Sequence, residues 1–225
     1  VDDVRRHLED HGSIALLAFS IATERQVEET WGWQLYDELI RDFVAHLRAL
    51  AGEGELPATL LCVPAARSDE VLCFVPTSAR DGSELSPQEW LRGLAARVDG
   101  RVTSFLADRI AGLDRFSSHV GQALILFDPK VRVERAVYRG LNEARGEVFR
   151  RTANAEERGT EILRAILAER RIVSLFQPIQ DLVEQRVTGV EALSRGPEGS
   201  GLEDAERLFS IAEKAGLVVP LERLC

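Results

Sequence analysis

The sequence predicts an α+β first domain of about 150 residues, an α/β sandwich whose antiparallel-containing sheet lies between helices. A helix then joins it to a second, smaller unit. Three observations carry this expectation. Apolar runs of strand length alternate with segments whose apolar residues recur at helical spacing. Their order in the first domain is strand, helix, hairpin, helix, strand, helix. After a polar helical stretch, the pattern restarts with two further strands and a helix.

Ser13–Ala22 (SIALLAFSIA) is a continuous apolar run, suited to a buried strand. A helix is expected from about Glu24 to Leu50, where Leu35, Leu39, Ile40, Phe43, Val44 and Leu47 share one face. Gly52 and Gly54 end it. Thr59–Val63 and Val71–Val75 are short apolar runs separated by the polar Pro64–Glu70, the pattern of a hairpin. Ser86-Pro87-Gln88-Glu89 places Ser at a helix cap, Pro at the first helical position and Glu at the third. That helix runs toward Ile110. His119–Phe127 reads as a strand and Val133–Arg150 as a helix.

Thr152–Arg171, polar and rich in Ala, Glu and Arg, reads as a linking helix, with Gly159-Thr160 as a point of interruption. Ile172–Ile179 and Val187–Leu193 come next as strands joined by Gln180–Arg186. A helix is expected from about Glu203 to Ala215, with Ala205, Leu208, Phe209 and Ala212 on its apolar face and Gly216 as its stop. The organisation expected is therefore a domain over 1–150, a linking helix over 151–171 and a second unit over 172–225. The sequence shows no internal repeat and no low-complexity tract.

Composition narrows the function classes. The 225 residues are 45% hydrophobic and 29% charged, as in ordinary globular domains. A net charge of −9 argues against a nucleic-acid surface, which needs clustered Lys and Arg. No apolar run approaches the ~20 residues of a membrane span, and no secretory signal opens the chain. The start at Val1 leads to the expectation of upstream sequence, such as an input domain. Cys62, Cys73 and Cys225 lack metal-ligand spacing, and the first two sit in apolar runs as small buried hydrophobes. A reducing cytoplasm is the expected compartment. Among the four histidines, His7 and His11 lie one helical turn apart and read as a solvated helix face. Trp31 and Trp33 bracket Gly32, where they either stack on a base or partner or cap the core.

The most specific motif is near the C-terminus. Leu175-Phe176-Gln177-Pro178-Ile179 is succeeded by Val190-Glu191-Ala192-Leu193-Ser194-Arg195, and then by Ala212-Glu213-Lys214-Ala215-Gly216-Leu217-Val218-Val219-Pro220-Leu221. These three stretches, in this order, resemble the opening of an EAL domain. The resemblance implies a barrel of alternating strands and helices that hydrolyses cyclic di-GMP with Mg or Mn ions. By that resemblance Glu191 matches the first metal ligand, and Gln177, Leu193 and Arg195 match ligand-contacting positions. Gln177 and Glu191 are expected at strand C-terminal ends, where such barrels build their sites. A carboxylate suits a hard divalent cation, and a guanidinium fork suits a phosphate. The bland alternative is a surface ion pair between Glu191 and Arg195. An eight-stranded barrel needs more than ~200 residues, so the segment reads as an incomplete (β/α) barrel fragment, EAL-like. With a single carboxylate it is expected to bind no metal pair and to hydrolyse nothing.

Residues 1–150 resemble the domain that usually precedes EAL, the GGDEF diguanylate cyclase, nucleotidyl-cyclase-like in fold. Trp31-Gly32-Trp33 with Asp37-Glu38-Leu39, and Ala136-Val137-Tyr138-Arg139, are similar to its flanking motifs. Arg67-Ser68-Asp69-Glu70-Val71 stands at the Gly-Gly-Asp-Glu-Phe turn. Both glycines are replaced, so side chains obstruct close approach of nucleotide phosphates. Ser20 stands at a metal-binding Asp, Glu28 at a guanine-contacting Asn and Leu141 at a phosphate-facing Lys. Ala58-Thr59-Leu60-Leu61 lacks the inhibitory Arg-x-x-Asp site. Asp69 and Glu70 read as solvated turn residues or a weak cation site. The domain is expected not to be a cyclase.

These residues leave three readings. One is a cyclic di-GMP signalling protein without catalysis, whose degenerate GGDEF-like domain is a regulatory or dimerisation scaffold. A second is the front of an EAL-type cyclic di-GMP phosphodiesterase truncated at Cys225. The third is an unrelated α/β domain of structural role. Partners expected are cyclic di-GMP, another signalling protein, or a second copy that covers the two EAL-like strands.

Overall fold

The computed structural model describes residues 2–22, 32–58, 60–64, 70–80, 82, 84–109 and 117–225. The chain divides into two compact units, Val1–Thr152 and Ala153–Cys225. It is a mixed α+β protein with antiparallel sheets.

The first unit is organised by β1, Ser13–Ala22. It pairs antiparallel with β3 (Glu70–Pro76) on one side and β4 (Ser117–Leu126) on the other. The short β2 (Leu60–Cys62) pairs with β3, giving the order β2-β3-β1-β4. The apolar run of β1 is explained by burial on both faces. Ala15, Leu17 and Phe19 pack on one side with α2 (Trp33–Gly52) and α3 (Pro87–Arg109), through Leu39, Phe43, Leu47, Leu94 and Val98. Ile14, Leu16 and Ala18 point to the other face, where Val4 and Leu8 of α1 (Asp2–His11) join Val133 and Ala144 of α4 (Val133–Glu169). The expected hairpin forms in register, with Leu60 opposite Phe74 and Cys62 opposite Leu72. The helix expected from Glu24 is described from Trp33, and residues 24–31 lie outside the described residues.

The Ser86 start of α3 is a reciprocal cap. The Ser86 N–H and hydroxyl both donate to Glu89 Oε2, at 3.0 and 2.6 Å, and the Glu89 N–H donates back to Ser86 Oγ at 3.3 Å.

Helix α4 runs unbroken from Val133 to Glu169, about 55 Å at 1.5 Å per residue. The interruption expected at Gly159-Thr160 is absent. A Cβ at Gly159 would stand 2.7 Å from Ile211 Cδ1, so the glycine makes room for a neighbour and does not break the helix. Similar close packing occurs at Gly121 of β4, where a Cβ would meet the Ala144 carbonyl oxygen at 1.9 Å.

In the second unit, β5 (Val173–Asp181) and β6 (Arg186–Arg195) form a two-stranded antiparallel hairpin. Helix α5 (Ala205–Lys214) comes next, capped by Asp204, whose carboxylate accepts from the Arg207 N–H at 2.9 Å. Gly216 ends that stretch at φ 68°, the backbone region that favours glycine. A short helix α6, Val218–Glu222, completes the unit. Its core joins Leu163 and Ile166 of α4 to Leu202, Leu208, Ala212 and Leu221. The hairpin stays outside that core and is mostly exposed.

Candidate functional site

The hairpin brings the motif residues of the second unit together. Gln177 lies directly opposite Glu191, Leu175 opposite Leu193 and Val173 opposite Arg195. Directly opposed residues in an antiparallel pair share a face, and alternate residues along each strand keep to it. Gln177, Glu191, Leu193 and Arg195 therefore line one face. Gln177 and Glu191 are exposed, whereas Leu193 and Arg195 are half-buried.

Their position corrects the expectation of strand C-terminal ends. Gln177 is the fifth residue of β5 and Glu191 the sixth of β6, each in mid-strand. In an antiparallel hairpin the two C-terminal ends lie at opposite ends of the ladder, so two residues that face each other cannot both stand at C-terminal ends.

Glu191 and Arg195 form no ion pair among the described residues. Four residues along a strand separate them by about 13 Å. Arg195 Nη1 instead donates to the Ser194 carbonyl at 2.9 Å. No hydrogen bond or ion pair among the described residues engages the side chain of Gln177 or Glu191. The pair thus presents an open carboxylate beside an open carboxamide.

The first unit treats its carboxylate differently. Arg67, Ser68 and Asp69 lie outside the described residues, but Glu70 and Val71 open β3. Val71 is buried in the core. Glu70 is 3% exposed and stands opposite Ser20 of β1. Both its oxygens are taken by Arg145 of α4: Nε donates to Oε1 at 2.8 Å and Nη2 to Oε2 at 2.6 Å. Glu70 is therefore a buried half of a bidentate ion pair, not a solvated turn residue. Sequence reasoning missed Arg145, whose partner lies 75 residues away. The available signal was an acidic residue leading directly into the apolar run Val71–Val75, since a buried charge demands a partner.

Other expected residues separate cleanly. Trp33 is exposed and caps no core, while Trp31 and Glu28 lie outside the described residues. Leu141 packs against the α1–α4 side of the sheet. Cys73 is buried, Cys62 half-buried and Cys225 exposed, and none is in a disulfide. Burial pushes the Cys73 thiol far up, leaving it an inert apolar group. His7 departs from the solvated face expected of it. It is half-buried, stacks on His11 at 4.2 Å, and its Nε2 is buried without a hydrogen-bond partner among the described residues. Among the described residues, no three His, Cys, Asp or Glu side chains are placed to hold a metal. No described helix is long and apolar enough to cross a membrane.

No family model matches the chain, and no curated protein does. Among solved structures, it is similar to Vibrio cholerae LapD S helix-GGDEF-EAL bound to c-di-GMP, at 9% identity and a TM-score of 0.41. The match covers 99% of this chain and 52% of the other, so the chain spans about half of that protein's length.

Proposed function

We propose that the chain is a cyclic di-GMP signalling protein, in which a non-catalytic GGDEF-like domain serves as a scaffold for an EAL-like segment. One observation carries this reading: four motif residues, Gln177, Glu191, Leu193 and Arg195, share one face of a single hairpin. Arg195 supplies the donor fork for a phosphate and Gln177 an amide for a base or ribose edge. The first unit supports the silent half of the reading. Ser20 is a poor cation ligand, and the carboxylate of Glu70 already serves Arg145.

A Mg or Mn centre does not fit the residues present. Such ions take several oxygen ligands, and Glu191 faces a neutral carboxamide, not a second carboxylate. The open Glu191 favours one second reading, an incomplete (β/α) barrel belonging to a longer cyclic di-GMP phosphodiesterase that supplies the remaining ligands. Under the first reading the apolar hairpin is covered by a partner, a second copy of the chain being the simplest; under the second, the rest of the barrel covers it. The cytoplasm is the proposed compartment.

Calorimetric titration with cyclic di-GMP tests the proposal. The expected result is binding that Arg195→Ala and Gln177→Ala weaken and that Glu191→Gln leaves nearly intact, with no turnover of GTP. Absence of binding, or binding untouched by all three substitutions, would overturn it. Turnover of cyclic di-GMP with Mn²⁺ by a longer chain that completes the barrel would replace it with the phosphodiesterase reading.

A further inference from the structure

Helix α4 leaves the first unit through two turns, Arg145–Arg151, in which three side chains are tied to three different elements. Arg145 holds Glu70 at the start of β3. One oxygen of Glu147 accepts the main-chain N–H of Gln122 in β4, at 2.9 Å. The other accepts from Arg151 Nη2, also at 2.9 Å. Arg151 Nη1 in turn lies 3.9 Å from Asp99 Oδ2 of α3. The Thr152 hydroxyl closes the block by donating to the Val148 carbonyl at 3.1 Å.

The next turns of the helix differ in chemistry. Ala153–Arg158 are six consecutive residues that are all exposed, and the next buried residue is Gly159 against Ile211. A helical stretch solvated on every side has little to hold it except its neighbours and the exposed ion pair of Glu156 with Lys214 at 3.3 Å, because short isolated helices are marginal in water and exposed ion pairs contribute little. Its order is therefore set by how firmly the turns on each side are anchored.

We propose that Arg145–Arg151 is a coupling clasp, through which the state of β3 and the β4 edge sets the order of the solvated segment Ala153–Arg158 leading into the second unit. This inference rests on the reading of the first unit as a regulator, and it names the residues through which regulation passes. A change at the start of β3 draws on Arg145. A change at the β4 edge draws on Glu147 and, through it, on Arg151 and Asp99.

Hydrogen exchange on the intact chain, without nucleotide, tests the clasp. Arg145→Ala removes the tie to β3, and Glu147→Ala removes both the tie to β4 and the bond to Arg151. Glu143→Ala, at an exposed position of the same helix, is the control. Alanine is the best helix former, so a purely local effect would slow exchange in all three variants. The clasp predicts the opposite sign: amides of 153–158 exchange about tenfold faster in the two clasp variants, a larger gain than that of Leu16–Phe19 in the same variant. If Arg145→Ala does not fold, Glu147→Ala, whose ties are part-buried, carries the test. Unchanged or slower exchange at 153–158 in folded Glu147→Ala overturns the clasp, as does an equal gain in Glu143→Ala. No ligand is present, so this failure is separate from failure of the cyclic di-GMP titration.

Discussion

The two sheets of this protein both carry large apolar side chains on their strands and treat them in opposite ways. In the first unit, Ile14–Phe19 of β1 are at most 1% exposed, because helices cover both faces of the sheet. In the second, Leu175, Phe176, Ile179, Val187 and Val190 are all more than half exposed. Leu182 and Val183 at the hairpin turn reach 88% and 92%. The same side-chain chemistry yields a core in one place and an open surface in the other. Apolar pattern tells which residues want burial, and only topology tells whether the chain supplies the cover. Carboxylates repeat the contrast: Glu70 is buried and doubly hydrogen-bonded, whereas Glu191 is open.

Substitutions that probe matched positions would break or sharpen this comparison. The largest effect is expected from Phe43→Ala, which empties a fully buried site beside Phe19 and should cost about 4 kcal/mol in urea denaturation. In dilute protein, where copies are apart, Phe176→Ala, at a residue 67% exposed, should fall within about 0.5 kcal/mol of the parent. Equal losses at the two sites would mean that the hairpin stays covered even when dilute. Next is Glu70→Ala, which strips Arg145 of its bidentate partner and should cost about 3 kcal/mol. Glu191→Ala should leave the urea midpoint unchanged.

A smaller effect is expected from acid. All four histidines lie in the first unit, and His7, His46 and His119 are held below the ordinary histidine range, chiefly by burial. His46 stacks on Phe105 at 4.3 Å, and its Nε2 is buried without a hydrogen-bond partner among the described residues. A lowered pKa means that the folded state takes up a proton less readily than the unfolded chain. The associated stability is therefore present above about pH 6.5 and lost as pH falls through the folded values. Asp99, pushed up by burial, runs the other way, favouring the folded state as pH falls. Thermal unfolding between pH 7.5 and 5.5 should show the first unit losing stability, with a shallower loss in His46→Phe. The second unit, which has no histidine, should hold. The smallest change in stability is expected from the double variant Phe176→Ser and Val183→Ser. It should lower the mass seen by sedimentation at high concentration and leave the unfolding midpoint of dilute protein in place. A parent that sediments as a clean monomer would count against pairing through the hairpin.

The sequence was legible where the controlling interaction is local. The reciprocal cap at Ser86 and Glu89 was readable from four residues because its partners are three apart. The strand Ser13–Ala22 was readable because burial on both faces leaves an unbroken apolar run. Gly159 misled, since a lone glycine speaks of backbone freedom, while its actual reason is Ile211, 52 residues on. Glu70 misled for the same cause, its partner Arg145 lying 75 residues on. Among the candidate site residues, identity was legible and placement was not: Gln177 and Glu191 face each other because the hairpin register puts them there, and register is a property of both strands together.

Glu147 has one more effect, on how sheets end. As the last strand of its sheet, β4 exposes an outer row of main-chain donors, and the Glu147 carboxylate occupies the one at Gln122. The opposite border, β2, is only three residues long. Both margins of the first sheet are thus poor templates for an incoming strand. The hairpin has no equivalent stopper among the described residues except Pro178 on β5. In a polymer chemist's terms, the first sheet is end-capped and the second is a live end. If these molecules ever grow into a larger ribbon, growth starts at β6.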